Sequence, residues 1–253
     1  MIDHYRFPTD VIEKTLASRK RALHKPFLRQ LYGEWYEVFI AEMENLPDGT
    51  RIELGSGGSF FKLMEPSVIS TDSLPFPTND LTFSPLSMPF NSDSVSGIFM
   101  IDTFCQIPDT HAFLTEAQRV LKPGGKIIMV EPACSVWGRV ANRWFCQKSF
   151  DRSGAWPNPL SAAYKRVNSA LTWIVFERDR SRFEGDFPGL ALQSVDYHTP
   201  LRYFLGGGNR FGSALVPRSS YPFFCKADEW LSKHSQQWSM FVTVTLEKKL
   251  VGG

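Results

Sequence analysis

The chain has 253 residues, of which 43% are hydrophobic and 14% aromatic, enough for a complete core in one large domain or one domain with an appendage. The formal net charge of +2 argues against a nucleic-acid partner, and no run approaches the ~18 apolar residues of a membrane span. The first residues are too polar for a signal peptide, and the four cysteines lack metal-ligand spacing. We therefore expect free thiols, no metal and a cytoplasmic protein.

A helical segment is expected at residues 1–46, packed on the core of the following domain. Asp10 and Glu13 are spaced as a capping box, which predicts a helix from about residue 11. Apolar residues between positions 28 and 39 follow helical spacing and indicate a stripe that faces the core. The basic residues of this segment are expected to form a solvated face: Arg19, Lys20, Arg21, Lys25 and Arg29.

Residues 47–253 show the alternation of strands with loops or helices that is typical of a parallel α/β sheet. Strands are predicted at residues 51–54, 67–71, 95–101 and 126–130, with a helix after Asp109 that Pro123-Gly124-Gly125 ends. Residues 137–184 contain four of the seven tryptophans, and we interpret about 137–190 as a partly helical cap inserted into this domain. Strand, helix and strand are then predicted at residues 192–197, 226–234 and 238–246.

The stretch RIELGSGGSFF, residues 51–61, places three glycines directly after a predicted strand. Glycines at this position allow a ligand to approach the backbone closely. Asp72 ends the next strand, fifteen positions after Gly57, where a carboxylate can accept the hydroxyl pair of a ribose. Phe60 stands where a dinucleotide-binding motif needs glycine, so the pattern favours a nucleoside ligand without a pyrophosphate.

Four blocks in order, RIELGSGG, VISTD, LSMPFNSDSVSGIFMID and FLTEAQRVLKPGGKIIMVEP, resemble the signature blocks of class I S-adenosylmethionine-dependent methyltransferases. The likeness covers roughly residues 48–132 and is greatest to the small-molecule and lipid methyltransferase branch. It implies a Rossmann-like, doubly wound sheet of about seven strands with an antiparallel last strand. It also implies methyl transfer from S-adenosylmethionine to a small-molecule, glycan or lipid-linked acceptor.

The resemblance also implies a set of cofactor contacts. Glu53, Gly55 and Gly57, with Ser56 in the same loop, would approach the methionine part of S-adenosylmethionine. Asp72 would hold the ribose, while Leu86 and the backbone near Ser84 would border the adenine. Asp102 would lie at the mouth of the fourth strand.

Catalytic residues are not identified, although three residues at strand ends are weak candidates. Asp102 ends the fourth strand, Glu131 ends the fifth and His198 follows the sixth. A general base assists methyl transfer when the acceptor is a hydroxyl or an ammonium group. Each candidate also has a structural interpretation, as a cofactor contact, a strand-end hydrogen bond or a buried histidine.

The cap is expected to select the acceptor through a surface that alternates aromatic and basic residues: Trp137, Arg139, Arg143, Trp144, Phe145 and Lys148. Such a surface can stack a ring and hold an anion, or touch a membrane that carries a lipid-linked substrate. The alternative is that the tryptophans fill a small core and the basic residues are solvated. The sequence does not indicate which oligomeric state the protein has.

Several positions depart from the family pattern, namely Ser59, Ser84, Ser96 and the pair Cys105-Gln106. They support a second hypothesis, a degenerate member of the family that binds or scaffolds, or uses the same pocket for different chemistry. A third hypothesis, a nicotinamide oxidoreductase, is disfavoured by the spacing of the glycines.

Overall fold

The computed structural model describes residues 9–146, 149–157, 167–208 and 213–250, without the side chains of residues 145 and 146. Its helices are α1 Thr9–His24, α2 Pro26–Met43, α3 Thr110–Val120, α4 Val136–Ala141, α5 Leu171–Trp173, α6 Arg180–Asp186, α7 Arg202–Leu205 and α8 Tyr221–His234. Among the described helices, none combines the length and the apolar character needed to cross a bilayer. Among the described residues, Cys105, Cys134 and Cys225 form no disulfide bond.

The strands form one sheet of seven, in the order β3-β2-β1-β4-β5-β7-β6. Their bounds are β1 Thr50–Leu54, β2 Ile69–Asp72, β3 Leu81–Thr82, β4 Val95–Ile101, β5 Leu121–Pro132, β6 Leu190–His198 and β7 Phe241–Lys248. The last strand, β7, runs antiparallel to both of its neighbours, and the other pairs are parallel. The predicted Rossmann-like, doubly wound sheet with an antiparallel last strand is confirmed.

Apolar runs form the centre of this sheet. Six of the seven residues of β4 are buried, as expected for a parallel strand that helices cover on both faces. The short edge strand β3 was not predicted, because it consists of two residues within a proline-rich stretch. Leu121 directly follows α3, begins β5 and pairs with Val95.

The predicted N-terminal helical segment consists of two helices that separate at Lys25, before Pro26. Proline fits the first turn of a helix but not its interior, so α2 starts there. One stripe of α2 is buried against the sheet: Phe27, Leu28, Leu31, Trp35, Tyr36, Phe39 and Met43. None of the described residues of α1 is fully buried. The domain division at residues 46 and 47 stays a prediction.

Between β5 and β6 the described residues include the helices α4, α5 and α6, and the cap as an insertion stays a prediction. Trp156, Phe176 and Phe183 are buried and belong to the same apolar core as β4 and β5. This part of the cap therefore extends the main core. Further along, the strand predicted from Trp238 starts at Phe241, because residues 236–238 form a 3-10 turn that Ser235 caps.

Candidate functional site

The glycine loop follows β1 at the carboxyl edge of the sheet. Gly55 has a φ of 76°, in the left-handed region that favours glycine. A Cβ added at Gly55 would lie 2.1 Å from Oγ1 of Thr103, and one at Gly57 would lie 2.3 Å from the ring of Phe76. Protein side chains thus fill the space beside both residues, so close packing requires these glycines independently of any ligand.

Glu53 lies beneath this loop and links it to the neighbouring strand. Its buried carboxylate accepts a hydrogen bond of 2.8 Å from Oγ of Ser56, and that hydroxyl accepts one of 3.1 Å from the Thr71 amide. Burial raises the pKa of Glu53 to about 7, although hydrogen bonds from Ser59 and Ser56 act in the opposite direction. Glu53 and Ser56 therefore hold the loop in shape from below.

A cavity of about 670 Å³ lies between the glycine loop, the end of β4 and α1. Four of the predicted cofactor residues line it: Gly55, Asp72, Ser84 and Asp102. The other four stand outside its lining: Glu53, Ser56, Gly57 and Leu86. Ligands of doubly wound sheets bind beyond the carboxyl ends of the strands, and this cavity is at that edge.

Asp72 is held at the cavity wall by backbone amides. Its Oδ2 accepts from the Gly57 N–H at 3.2 Å, and its Oδ1 accepts from the Leu74 N–H at 2.9 Å. Burial raises the pKa of this carboxyl, and these hydrogen bonds counteract the change. The carboxylate therefore has a fixed orientation between the glycine loop and the end of β2.

The predicted adenine border is only partly found at the cavity. Ser84 lines it, and its Oγ accepts from the Leu86 N–H at 3.2 Å. Leu86 itself packs against the apolar core. Phe83 and Pro85, which flank Ser84, line the cavity and offer the apolar surface that a purine ring would need.

Asp102 is the one of the three catalytic candidates that lines the cavity. Its φ of 53° lies in the left-handed region, where residues other than glycine are uncommon. The amide of Asp102 still donates to the Val130 carbonyl at 2.8 Å, so the turn is anchored to β5. This places the carboxylate of Asp102 at the mouth of β4, where the resemblance puts it.

Glu131 is fully buried and supports the turn after Asp102. Its Oε1 accepts from the amides of Thr103 and Phe104, both at 2.7 Å, and its Oε2 accepts from the amide of Cys105 at 3.2 Å. Burial raises the pKa of Glu131 to about 7, and the nearby charge of Asp102 adds to the effect. These contacts support the alternative reading of Glu131, a local hydrogen-bonding role at the strand end.

Asp102, Cys105 and Glu131 also bring possible metal ligands within 4.8 Å of one another. Both Glu131 oxygens already accept backbone amides, and Sγ of Cys105 lies 3.5 Å from Oδ1 of Asp102. The cluster is thus accounted for by the hydrogen bonds of the turn.

His198 lies outside the cavity lining and has a structural environment. Its Nδ1 is 2.8 Å from Oγ1 of Thr199, and its Nε2 is 2.8 Å from Oγ1 of Thr243. The ring packs near Trp35 and Phe241, and burial lowers the pKa of His198 to about 4. These contacts support the interpretation of His198 as a structural residue at the end of β6.

Helix α1 forms one wall of the cavity, which the sequence did not indicate. Its lining residues include Lys14, Thr15, Ser18, Arg19 and Arg21. The Nε of Arg19 donates to the Ser59 carbonyl at 2.6 Å and joins α1 to the glycine loop.

The predicted solvated basic face is correct for Lys20, Arg21 and Arg29, which are exposed. It is wrong for the half-buried Arg19 and Lys25, and Nζ of Lys25 donates to the Gly207 carbonyl at 2.8 Å. The sequence signal for this role of α1 was its polar residues, which lie around most of the helix. A helix of this kind is held by contacts other than packing in an apolar core.

The tryptophans of the cap have different environments. Trp156 is buried and its Nε1 donates to Asp179 at 2.9 Å, while Trp137 is half-buried and donates to the Pro200 carbonyl at 2.7 Å. Trp173 packs under the guanidinium of Arg152, and Trp144 is exposed. The side chains of Phe145 and Lys148 lie outside the described residues. Packing of the cap thus accounts for three of its four tryptophans.

Comparison with known proteins confirms the resemblance. Residues 68–129 match the family model described as a methyltransferase domain. None of the curated proteins matches the chain significantly in sequence. One similar solved structure is the geranyl diphosphate C-methyltransferase of Streptomyces coelicolor A3(2), in complex with Mg²⁺, geranyl diphosphate and S-adenosyl-L-homocysteine. It is 16% identical, has a TM-score of 0.51, and the alignment covers 87% of this chain and 80% of that one.

A second similar structure is a protein assigned as a methyltransferase in its complex with the Haloferax volcanii Trm112 methyltransferase activator. It is 14% identical with a TM-score of 0.51, and the alignment covers 97% of each chain. A geranyl diphosphate methyltransferase in complex with S-adenosylmethionine is 14% identical with a TM-score of 0.50, and 87% of each chain is covered. At these identities the structural likeness supports the fold.

Proposed function

We propose that this chain, which carries a methyltransferase domain of the class I, S-adenosylmethionine-dependent fold, binds that cofactor in the cavity beside Asp72 and methylates a small-molecule acceptor. The observation that carries the proposal is the cavity of about 670 Å³ at the carboxyl edge, lined by Gly55, Asp72 and Asp102. The family match over residues 68–129 supports the same reading. Glycan and lipid-linked compounds belong to the proposed range of acceptors.

The residues present fit the cofactor. Asp72 offers a carboxylate at the wall, and a carboxylate can accept hydrogen bonds from a ribose hydroxyl pair. Lys14 and Arg21 of α1 line the same cavity and would supply positive charge to the carboxylate of the methionine part. Phe83 and Pro85 would border the purine.

When bound, S-adenosylmethionine supplies a methyl group on a sulfonium, which is already a good leaving group. The protein therefore contributes mainly by orienting the acceptor and excluding water. Helix α1 covers the cavity, and Arg19 fastens it to the glycine loop. Asp102, on the wall at the end of β4, is placed to hold a proton-bearing group of the acceptor or the cofactor.

A specific observation supports the degenerate family member as the second candidate function. Several polar groups at the positions that differ from the family pattern already have hydrogen-bond partners within the protein. Oγ of Ser59 pairs with the Tyr36 hydroxyl at 2.9 Å, Oγ of Ser84 accepts from Leu86, and Oγ of Ser96 donates to the Thr50 carbonyl at 3.2 Å. These hydrogen bonds stabilise the structure of the site. A family member that no longer transfers methyl groups would also keep them.

Isothermal titration calorimetry with S-adenosylmethionine and S-adenosylhomocysteine separates the two candidates, with NAD as the ligand control. We expect binding of both cofactor forms and about tenfold or greater weakening by Asp72→Asn, since a charged acceptor is lost. Asp93→Asn is the matched control, because Asp93 is exposed and asparagine tolerates its φ of 54°.

A folded protein that binds neither cofactor form would remove the proposal in favour of the degenerate member. Equal affinity of wild type and Asp72→Asn would remove the assignment of the ribose to Asp72. Binding of NAD in place of the methyl donor would favour nicotinamide chemistry. Once binding is found, methyl transfer from labelled S-adenosylmethionine to candidate acceptors tests the reaction itself.

A further inference from the structure

Large apolar side chains are exposed to solvent on four neighbouring elements of the protein. Each of them is between 43% and 68% exposed, and four of the six are aromatic. Contiguous exposed patches of this kind mark sites that interact with another surface. We call this set the aromatic face; it consists of Val136, Val140, Trp144, Phe223, Trp230 and Trp238.

One half of the aromatic face runs along α4 and the π-helical turn Asn142–Cys146 that continues it. Val136, Val140 and Trp144 recur every four residues, so they share one side of this helical stretch. The buried residues Gly138, Ala141 and Asn142 take the inner side. The exposed apolar stripe is therefore the outer side of an amphipathic element whose inner side is already packed.

The other half lies on α8 and on the 3-10 turn Gln236–Trp238 that follows it. Phe223 and Trp230 are seven residues apart on α8 and so share one side of that helix. The two halves meet where the Val136 amide donates to Oε1 of Gln237 at 3.1 Å. Trp238 is the next residue, and this turn neighbours both α4 and α8, so the two halves adjoin here.

Basic residues surround these aromatic rings. Arg143, Lys226 and Lys233 are exposed on the same elements. The exposed acid among them, Glu229, is paired with Lys233 at 2.6 Å. The described part of this surface therefore carries a net positive charge.

The combination favours a lipid bilayer over a protein as the partner. Tryptophan rings combine an apolar body with an N–H donor and are enriched at the interface between lipid and water. Lysine is depleted at protein interfaces, but it attracts anionic headgroups while its stem covers apolar surface. Aromatic side chains among basic ones are typical of peripheral membrane contact.

The aromatic face lies at the same edge of the sheet as the cavity. Pro132 at the carboxyl end of β5 pairs with Phe241 at the start of β7. Helix α4 follows the first of these strands, and the turn with Trp238 precedes the second. Tyr203 of α7, a neighbour of α8, lines the cavity.

From this placement we infer that the aromatic face binds the interfacial region of an anionic phospholipid bilayer. The cavity edge then faces the membrane surface, so the acceptor is an amphiphile taken from the bilayer. The bilayer contact stands on the exposed side chains alone, whereas the identity of the acceptor rests on the proposed function.

Vesicle co-sedimentation of the cofactor-free protein tests the contact. Phosphatidylcholine vesicles with added phosphatidylglycerol should bind the wild type, and the double variant Trp230→Ser/Trp238→Ser should bind about tenfold or more weakly. The matched control is Leu250→Ser, because Leu250 is 70% exposed just beyond β7, at the opposite edge of the sheet. Circular dichroism confirms that each variant is folded.

The basic residues are tested in the same assay. Lys226→Gln and Lys233→Gln should each weaken binding to the anionic vesicles by up to about fivefold. Added salt should also weaken this binding, because it screens the attraction between the charges. Arg180→Gln on α6 is the control, since Arg180 is exposed outside the aromatic face. Pure phosphatidylcholine vesicles should bind more weakly than the anionic ones.

Unchanged vesicle binding by the folded tryptophan variant would overturn the inference. Absence of vesicle binding by the wild type would do the same, and a dimer that the tryptophan variant abolishes would assign the face to a second copy of the chain. Calorimetry with S-adenosylmethionine on the same variants keeps the two proposals apart. If the wild type binds vesicles but does not bind S-adenosylmethionine, the proposed function is wrong and the bilayer contact still holds.

Discussion

Arg19 of α1 donates from Nε to the carbonyl oxygen of Ser59 over 2.6 Å. The bond joins a helix without a fully buried residue, among those described, to the loop that forms the floor of the cavity. Since no described residue of α1 is fully buried, this charged hydrogen bond has a large part in keeping the helix over the site.

Arg19→Gln is therefore expected to loosen α1 and weaken S-adenosylmethionine binding about tenfold, because a hydrogen bond from a charged group is lost. Calorimetry measures the affinity, and hydrogen exchange of the α1 amides measures the loosening. Lys20→Gln is the matched control, since Lys20 is the exposed neighbour on the same helix. Unchanged exchange in Arg19→Gln would show that other contacts fix the helix.

Gly57→Ala should destabilise the protein by roughly 1–3 kcal/mol through overpacking against Phe76. The added Cβ would lie 2.3 Å from the Phe76 ring, whereas at Gly58 it would meet only Thr15 at 3.7 Å. Gly58→Ala is thus the control and should be nearly neutral. Urea unfolding measures both changes.

A double-mutant cycle tests the stated cause. The cost of Gly57→Ala should be smaller in a Phe76→Ala background, because the ring that it contacts is gone. An equal cost in both backgrounds would show that the alanine disturbs the backbone and not the packing with Phe76.

His198 should affect stability on acidification and leave cofactor affinity within about twofold. Burial lowers its pKa from 6.5 to about 4, so between these values the unfolded chain binds more protons than the folded one. Stability is then full above pH 6.5 and is lost as the pH falls toward 4, by on the order of 3 kcal/mol.

Urea unfolding of wild type and His198→Gln at pH 7 and pH 5 measures this effect. The variant should lose less stability than the wild type over that interval, because it has no imidazole to protonate. His24→Gln, at an exposed position on α1, should follow the wild type. An equal loss of stability between pH 7 and pH 5 in wild type and His198→Gln would contradict the lowered pKa of His198.

Arg202 joins three helices in a largely buried ion-pair network. It donates to Asp228 on α8 at 2.7 Å and to Glu34 on α2 at 2.5 Å. Arg202→Met should cost about 3–5 kcal/mol, because the Asp228 carboxylate remains buried without its cation.

Chemical denaturation measures this loss against Arg180→Met, which removes an exposed pair and should cost less than about 1 kcal/mol. Adding Asp228→Asn to Arg202→Met should recover part of the loss, since the uncompensated charge is removed. Similar costs for Arg202→Met and Arg180→Met would contradict a stabilising role for the network.

The central strands of the sheet were predictable because their signals are local. Unbroken apolar runs such as residues 95–101 indicate buried parallel strands, and the position of Asp72 after the second run placed it at the carboxyl edge. Two residues paired at an edge, as in β3, leave no such run, so that strand could not be predicted. Leu121 fits both the helical and the strand pattern, and pairing with Val95 decided between them.

By itself the sequence determined the central strands, the glycine loop and the carboxylates Asp72 and Asp102 at the strand ends, since these follow from short-range periodicity. Tertiary structure decided which of them line a cavity. Glu53 and Glu131 resemble site residues in sequence, but burial turns their carboxylates toward backbone and hydroxyl donors. Arg19 resembles a solvated residue, yet folding brings it against Ser59, forty positions away. Such contacts depend on how segments that are distant in sequence pack together, and local sequence patterns do not predict this packing.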